Sequence, residues 1–410
     1  MRMSKKKEIV PKLRFPEFQG NSIDFVHGNR LFESITNKNH NSNLPILAIT
    51  QDQGAVPRDQ IEYNVTVTDK SLSNYKVVEV GDFIISLRSF QGGIEYSRFK
   101  GICSPAYIIL RKREENISEL YYKYFFKTWK YIQSLNRNLE GIRDGKMISY
   151  SQFSSVKVPY PRSFKEQQKI ADCLSSIDEL IDAETRKLTA LEKYKKGLMQ
   201  KLFPAEGKAL PEWRFPEFQG CGEWKSKSIG KACKMFSGGT PDTSKKEFYG
   251  GTIPFIRSAE INKSSTELFI TEEGFKNSSA KMVKKGDILI ALYGANSGEV
   301  ALSKIDGAIN QAILCLRHET NNVFVYHYFT HMKNRIISKY IQGGQGNLSG
   351  QIIKSVNLYF PKTEEQQKIA DCLSAIDTMI TEQSNKVEQL KTHKKGLMQG
   401  LFPSLEEADV

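Results

Sequence analysis

Two glycine-bearing polar stretches carry the side chains best suited to read a nucleic acid. "LRSFQGGIEYSR" (87–98) follows a predicted strand and holds Arg88, Ser89, Gln91, Tyr96 and Arg98. "LYGANSGEVALSK" (292–304) follows a second predicted strand and holds Tyr293, Asn296 and Ser297. Two later stretches, "LEGIRDGKMISY" (139–150) and "IQGGQGNLSG" (341–350), add Arg143, Lys146 and Tyr150 to the first set and Gln345 and Asn347 to the second. Arg, Lys, Asn and Gln pair with base edges, and glycine lets the backbone approach a phosphate closely. A formal net charge of +13 favours a polyanionic partner.

Catalytic chemistry finds no comparable footing. "GIRDGKM" (141–147) has three residues between its glycines rather than four, and Met147 stands where a magnesium-binding hydroxyl belongs. "GGQGNLSG" (343–350) follows a predicted helix, so it is not a dinucleotide fingerprint. His327 and His331 have zinc-like i, i+4 spacing, but no metalloprotease glutamate and no third ligand accompany them. A solvated or packed aromatic helix face accounts for them better. No metal site and no catalytic residue is assigned.

The elements that would position these loops come in duplicate. "EQQKIADCLS" occurs at Glu166–Ser175 and again at Glu365–Ser374. The match extends from 165–204 to 364–403 without a gap, with about 24 of 40 positions identical, and "RFPEFQG" recurs at 14–20 and 214–220. The repeating unit is therefore about 200 residues long, a duplicated domain rather than a solenoid. In the first 40-mer Ile170, Leu174, Ile177, Ile181, Leu188 and Leu191 alternate steps of four and three, with Glu184 and Lys195 in polar slots of the same register. Ile369, Leu373, Ile376, Ile380, Val387 and Leu390 repeat the series, with Gln383 and Lys394 in the slots. That period predicts a coiled-coil seam. Each run ends at "LFP", where proline stops a helix, after a rod of about 50 Å. Gly197 and Gly396 weaken the rods near their ends.

Before each long helix, "VEVGDFIISL" (78–87) matches "VKKGDILIAL" (283–292), and "SSVKVPYP" (154–161) matches "KSVNLYFP" (354–361). Short strands and one amphipathic helix, near 117–135 and 322–341, predict an α/β (α+β) globule in each copy. The expected layout is an N-terminal segment 1–20, a first globule 21–163, a helix 164–204, a linker 205–223, a second globule 224–361, a helix 362–403 and a tail 404–410. The seam of each helix is expected to face its own duplicate. Six cysteines without a CxxC pair fit a reducing, cytoplasmic setting, and no run of 18 apolar residues predicts a membrane span.

With the duplicated "EQQKIADCLS…KKGLMQ.LFP" helix and the "GD.(I/L)I(S/A)L" element in view, the chain resembles the specificity subunits of type I restriction–modification systems along essentially its whole length. The resemblance implies that 21–163 and 224–361 are target recognition domains, each reading half of a bipartite double-stranded DNA site. It implies that the helices pack antiparallel as a pseudo-two-fold internal repeat, set the spacer and dock two modification (methyltransferase) subunits, which recruit two restriction (translocase/endonuclease) subunits. It implies no catalysis in this chain, with S-adenosylmethionine, ATP and Mg used by those partners. Two other readings remain: a non-catalytic coiled-coil interaction scaffold, and the specificity part of a different DNA methyltransferase or restriction enzyme.

Overall fold

A computed structural model describes residues 10–41, 43–61, 72–137, 148–294, 296–340 and 348–403. The chain forms two compact units. The first comprises Met1–Glu184 and Lys386–Val410, and the second comprises Thr185–Asn385. The divisions fall inside the two long helices, Phe164–Leu202 and Thr363–Leu401. Each unit therefore owns the N-terminal half of its own long helix and the C-terminal half of the other.

In the first unit, an antiparallel sheet runs in the order Phe32–Ile35, Ile108–Lys112, Phe83–Ile85, Glu95–Tyr96. Alternation along the strands sends Phe83, Ile85 and Leu110 to an aromatic cluster with Tyr121, Tyr122, Phe125, Phe126 and Tyr131. Ile84 and Ile109 go to the opposite face, with Leu47, Val78 and Cys103. A strand pair, Ile23–His27 against Lys157–Pro161, links the start of the globule to the start of its long helix.

The second unit repeats this plan. Its sheet runs Cys233–Ser237, Ile313–His318, Ile288–Ala291, Val300–Leu302, and Lys225–Ser228 pairs with Asn357–Phe360. The same buried carboxylate ties the sheets: Arg111 grips Asp82 through two nitrogens, both at 2.7 Å, and Arg317 grips Asp287 likewise. The copies differ elsewhere. The second unit has a further four-stranded sheet in which Tyr249–Ile256 pairs in parallel with Gly307–Ile309. In the first, the described residues show a single parallel bridge there, Ile46 to Ile102, beside the two-stranded pairs Lys76–Val78 with Gly101–Cys103 and Leu47–Thr50 with Gly54–Pro57.

The repeated sequence words have structural reasons. Arg14 of "RFPEFQG" makes a two-pronged ion pair with Glu166 of "EQQ" at 2.7 and 3.0 Å, side chains 6% and 1% exposed. Arg214 and Glu365 repeat it at 2.8 and 2.6 Å. The amide of Gln167 donates to the Pro161 carbonyl at 2.8 Å, as Gln366 does to Pro361 at 3.0 Å. A carboxylate so desolvated needs its partner, so neither word can change without the other.

Within each unit the two helix halves run antiparallel. In the first, Asp178 meets Lys394 and Glu184 meets Lys386, so advancing along one helix means retreating along the other. In the second, Lys195 meets Asp377 at 2.5 Å. Three of the polar slots thus hold ion pairs, and the fourth, Gln383, is buried. Ile170, Leu174, Ile369, Leu373, Ile376 and Val387 are buried, while Ile177, Ile181, Leu188, Leu191, Ile380 and Leu390 are half-buried. Leu401 and Phe402 close the aromatic core of the first unit, and Met199, Leu202 and Phe203 close that of the second.

Two local expectations change. The helix anticipated near 117–135 is broken into Glu119–Phe125 and Trp129–Arg137, the hydroxyl of Thr128 bonding back to the Phe125 carbonyl at 2.7 Å. Its counterpart Asn322–Tyr340 is continuous. The long helices run unbroken through Gly197 and Gly396.

Candidate nucleic-acid interface

In the first unit, the loop that ends strand Phe83–Ile85 turns through a single helical turn, Ser89–Gly92, and stops at Gly93 with φ 85°. Gly93 is required: a Cβ there would sit 2.2 Å from the Phe126 carbonyl oxygen. The loop exposes Arg88 and Gln91, and Arg98 is exposed beyond strand Glu95–Tyr96. Among the described residues, none of these three side chains has a hydrogen-bond or ion-pair partner.

Ser89 faces the other way. It is 1% exposed, and its hydroxyl accepts from the Ser86 N–H at 2.8 Å, so it closes the turn. Tyr96 packs its ring 5.5 Å from Phe83, and burial raises its pKa. The Tyr150 hydroxyl donates to the Phe32 carbonyl at 3.0 Å, bracing the globule. Sequence alone groups these three with the outward residues, because side-chain type does not reveal which way a tight turn points it.

The matching loop of the second unit presents Tyr293, 40% exposed. Asn296 and Ser297 are half-buried; the Ser297 hydroxyl donates to the Leu292 carbonyl at 2.9 Å and holds the turn. Gly298 ends this loop with φ 86°. Arg143, Lys146, Gln345 and Asn347 lie outside the described residues, as does "GIRDGKM". Ser349 of "GGQGNLSG" caps the helix Gly350–Ser355, accepting from the Ile352 N–H at 3.2 Å.

The positioning of the first loop rests on residues that motif reasoning does not single out. Lys127, in the helix break, donates to the Gly92 carbonyl at 3.0 Å, the Gln51 carbonyl at 3.0 Å and Glu95 Oε1 at 2.5 Å. Glu95 is 2% exposed, and burial pushes its carboxyl up to about 7 against the pull of Lys127. Asn136 donates to the Phe90 carbonyl at 2.8 Å, and Gln51 to the Arg88 carbonyl at 3.4 Å. The one sequence signal is an acidic residue inside the apolar run "GGIEYS"; its partner 32 positions away is not readable there.

His327 and His331 belong to the core of the second unit. His327 is buried with neither ring nitrogen hydrogen-bonded, and burial lowers its pKa to about 3. The His331 ring lies 5.7 Å from that of Phe203. Among the described residues, no three side chains of metal-binding type come together, and no helix is long and apolar enough to cross a membrane.

Residues 23–193 and 222–391 each match the type I restriction modification DNA specificity domain, so the match is double and takes in most of the chain. The chain belongs to that family. It is 23% identical over 352 residues to the type I restriction enzyme MjaVIII specificity subunit of Methanocaldococcus jannaschii, covering 82% of this chain and 80% of that protein. It is 28% identical over 247 residues to the EcoR124I/EcoR124II specificity subunit of Escherichia coli, covering 58% and 59%. The fold is also that of a type I restriction–modification S subunit from M. genitalium, with a TM-score of 0.60, 16% identity and coverage of 96% of this chain and 99% of that one. A DNA-specificity role follows for this chain, carried by two specificity domains on two long helices.

Proposed function

We propose that each unit reads one half of a bipartite double-stranded DNA site, and that the helix pair fixes the spacer between the halves. The observation that carries this reading is the contrast between frame and loops. The Arg14–Glu166 and Arg214–Glu365 pairs, the Asp82–Arg111 and Asp287–Arg317 pairs and the helix ion pairs are repeated. The exposed loop residues Arg88, Gln91 and Arg98 are not echoed by Tyr293 and Asn296. Two similar readers carrying different tips suit an asymmetric target, as a dimer suits a palindrome.

A second repeated surface supports equal partners. Pro16, Glu17, Gln19, Lys169 and Asp172 are exposed, and so are Pro216, Glu217, Gln219, Lys368 and Asp371. The Glu17–Lys169 and Glu217–Lys368 ion pairs account for part of this identity; core packing demands none of the rest, yet it persists while the loops diverge. Two copies of one modification subunit would find the same surface twice, and restriction subunits would join through them. In this reading methyl transfer and cleavage, with S-adenosylmethionine, ATP and Mg, belong to those partners.

The test assembles the chain with its modification subunit and maps methylated sites. Replacing 21–163 with the corresponding region of a relative is expected to change one half-site and leave the other half and the spacer unchanged. The purified chain alone is expected to transfer no methyl group. Alteration of both half-sites by the single replacement would overturn the reading.

A further inference from the structure

We propose that Lys127 is a positioning residue for sequence reading, holding the Arg88–Gly93 loop in place through the Gly92 and Gln51 carbonyls and the buried Glu95 carboxyl group. This rests on the reading role proposed for that loop.

A lysine in the DNA-reading unit of a basic protein would by default be assigned to a phosphate. The geometry argues otherwise. A lysine ammonium has three donors, and those of Lys127 meet three protein oxygens within 3.0 Å. None is left for a phosphate, and the ammonium already faces the buried Glu95 carboxyl. The ammonium instead gathers three separate segments: the hairpin turn at Gln51, the reading loop at Gly92 and the strand at Glu95. Asn136 fixes the Phe90 carbonyl from the next helix, and Gln51 reaches the Arg88 carbonyl. The carbonyls of Arg88, Phe90 and Gly92 are thus held from behind while Arg88 and Gln91 point outward. Base readout depends on donors placed to a fraction of an ångström, so a loop held at alternate carbonyls reads more sharply than a free one.

Among the described residues, the second unit lacks this device. Strand register puts Ala301 opposite Leu289, the place that Glu95 takes opposite Ile84. Its Lys333 pairs with Glu299, which is more than half exposed. Among the described residues the clamp therefore belongs to the first reader, and its loss has a half-site-specific signature.

The experiment compares full-length Lys127→Met, Glu95→Gln and Lys333→Met chains, each assembled with the modification subunit, below the melting temperature of every variant. Methylation is measured on the cognate site and on sites with one substituted base in either half. Lys127→Met is expected to lose on the order of tenfold discrimination in the half-site read by the first unit. Discrimination in the other half stays intact, and the salt dependence of DNA binding is unchanged. A phosphate contact would instead weaken all sequences alike and lower the salt slope by about one. Glu95→Gln, which keeps an acceptor for Lys127, is expected to retain most of the discrimination, and Lys333→Met all of it. Unchanged discrimination in Lys127→Met, or an equal loss in both halves, overturns the proposal. If that variant does not assemble, Asn136→Ala takes its place under the same criterion, since it removes only the bond to the Phe90 carbonyl. The clamp alone fails if exchange of 21–163 changes one half-site while Lys127→Met changes nothing. The underlying reading fails if the exchange itself leaves the methylated sequence unaltered.

Discussion

Asp178 and Asp377 occupy the same place in the two copies of the long helix, yet their surroundings differ. Asp178 accepts from Lys394 at 2.5 Å and from the Tyr124 hydroxyl at 2.8 Å, so both its oxygens are used. Asp377 accepts from Lys195 at 2.5 Å, but its other oxygen faces His327 Nδ1 at 3.9 Å, too far for a hydrogen bond. The duplicated helices supply the same carboxylate–lysine pair twice. The divergent globules decide how well the rest of each carboxylate is satisfied. Equality resides in the frame; the seating of each reader on that frame is individual. Glu95 and Ala301 teach the same lesson at the loops, where one reader is clamped by an ion pair and the other by its own turn.

The largest effect separates the units through their closing aromatics. Phe402 lies 5.1 Å from Tyr121 and 5.6 Å from Phe125, and Phe203 lies 4.5 Å from Tyr328 and 5.7 Å from Phe324. Truncation of either to alanine is expected to cost about 3–5 kcal/mol. Hydrogen exchange should show Phe402→Ala opening the first unit and Phe203→Ala the second; equal opening of both units by either variant would break the comparison.

Acid should sharpen it. His327 titrates near 6.5 when unfolded and at about 3 when buried, so the unfolded chain binds the proton first. The stabilisation is therefore complete above about 6.5 and drains away as pH falls toward 3, by up to about 1.4 kcal/mol per pH unit. Asp377 and Lys195 face this ring, and His331, lowered by burial too, adds the same sign. Denaturant unfolding across pH 4–7 should show the slope in the second unit, and His327→Phe should flatten it. An identical acid slope in that variant would remove His327 from the account.

A smaller effect tests the outward tips. Arg88→Ala and Gln91→Ala are each expected to relax one position of one half-site by about 1–3 kcal/mol in discrimination if they reach base edges. Uniform weakening on all sequences would reassign them to the phosphate backbone.

Much of this architecture is legible in sequence because repetition doubles every signal. The heptad steps mark the helix face, and the polar slots at Glu184, Lys195 and Lys394 become ion pairs once the partner helix is known. The strand words fall on strands, since short apolar runs between turns admit few alternatives. Pairings across long separations are not legible: nothing in "GGIEYS" names Lys127. Nor is the helix break visible, because "YYKYFFKTWKYIQSL" mixes aromatic and polar residues throughout without a glycine or proline to mark a stop, and the Thr128 hydroxyl that bonds back at the break leaves no sequence signature. Ser89 illustrates the limit for the candidate site, as its residue type suits recognition while its rotamer serves the turn.

The interleaving of the helix halves also orders events at the ribosome. The second unit is contiguous in the chain, so its parts are all present once Asn385 has emerged. The first is complete only when Leu401 and Phe402 arrive, long after its globule has been made. At synthesis rates of roughly 5–20 residues per second, the 200-residue wait lasts on the order of 10–40 s. During that interval the apolar patch around Tyr121 and Phe125 lacks its cover. A nascent first unit is thus left as a half-finished client for chaperones, while the unit encoded second can be the first to finish.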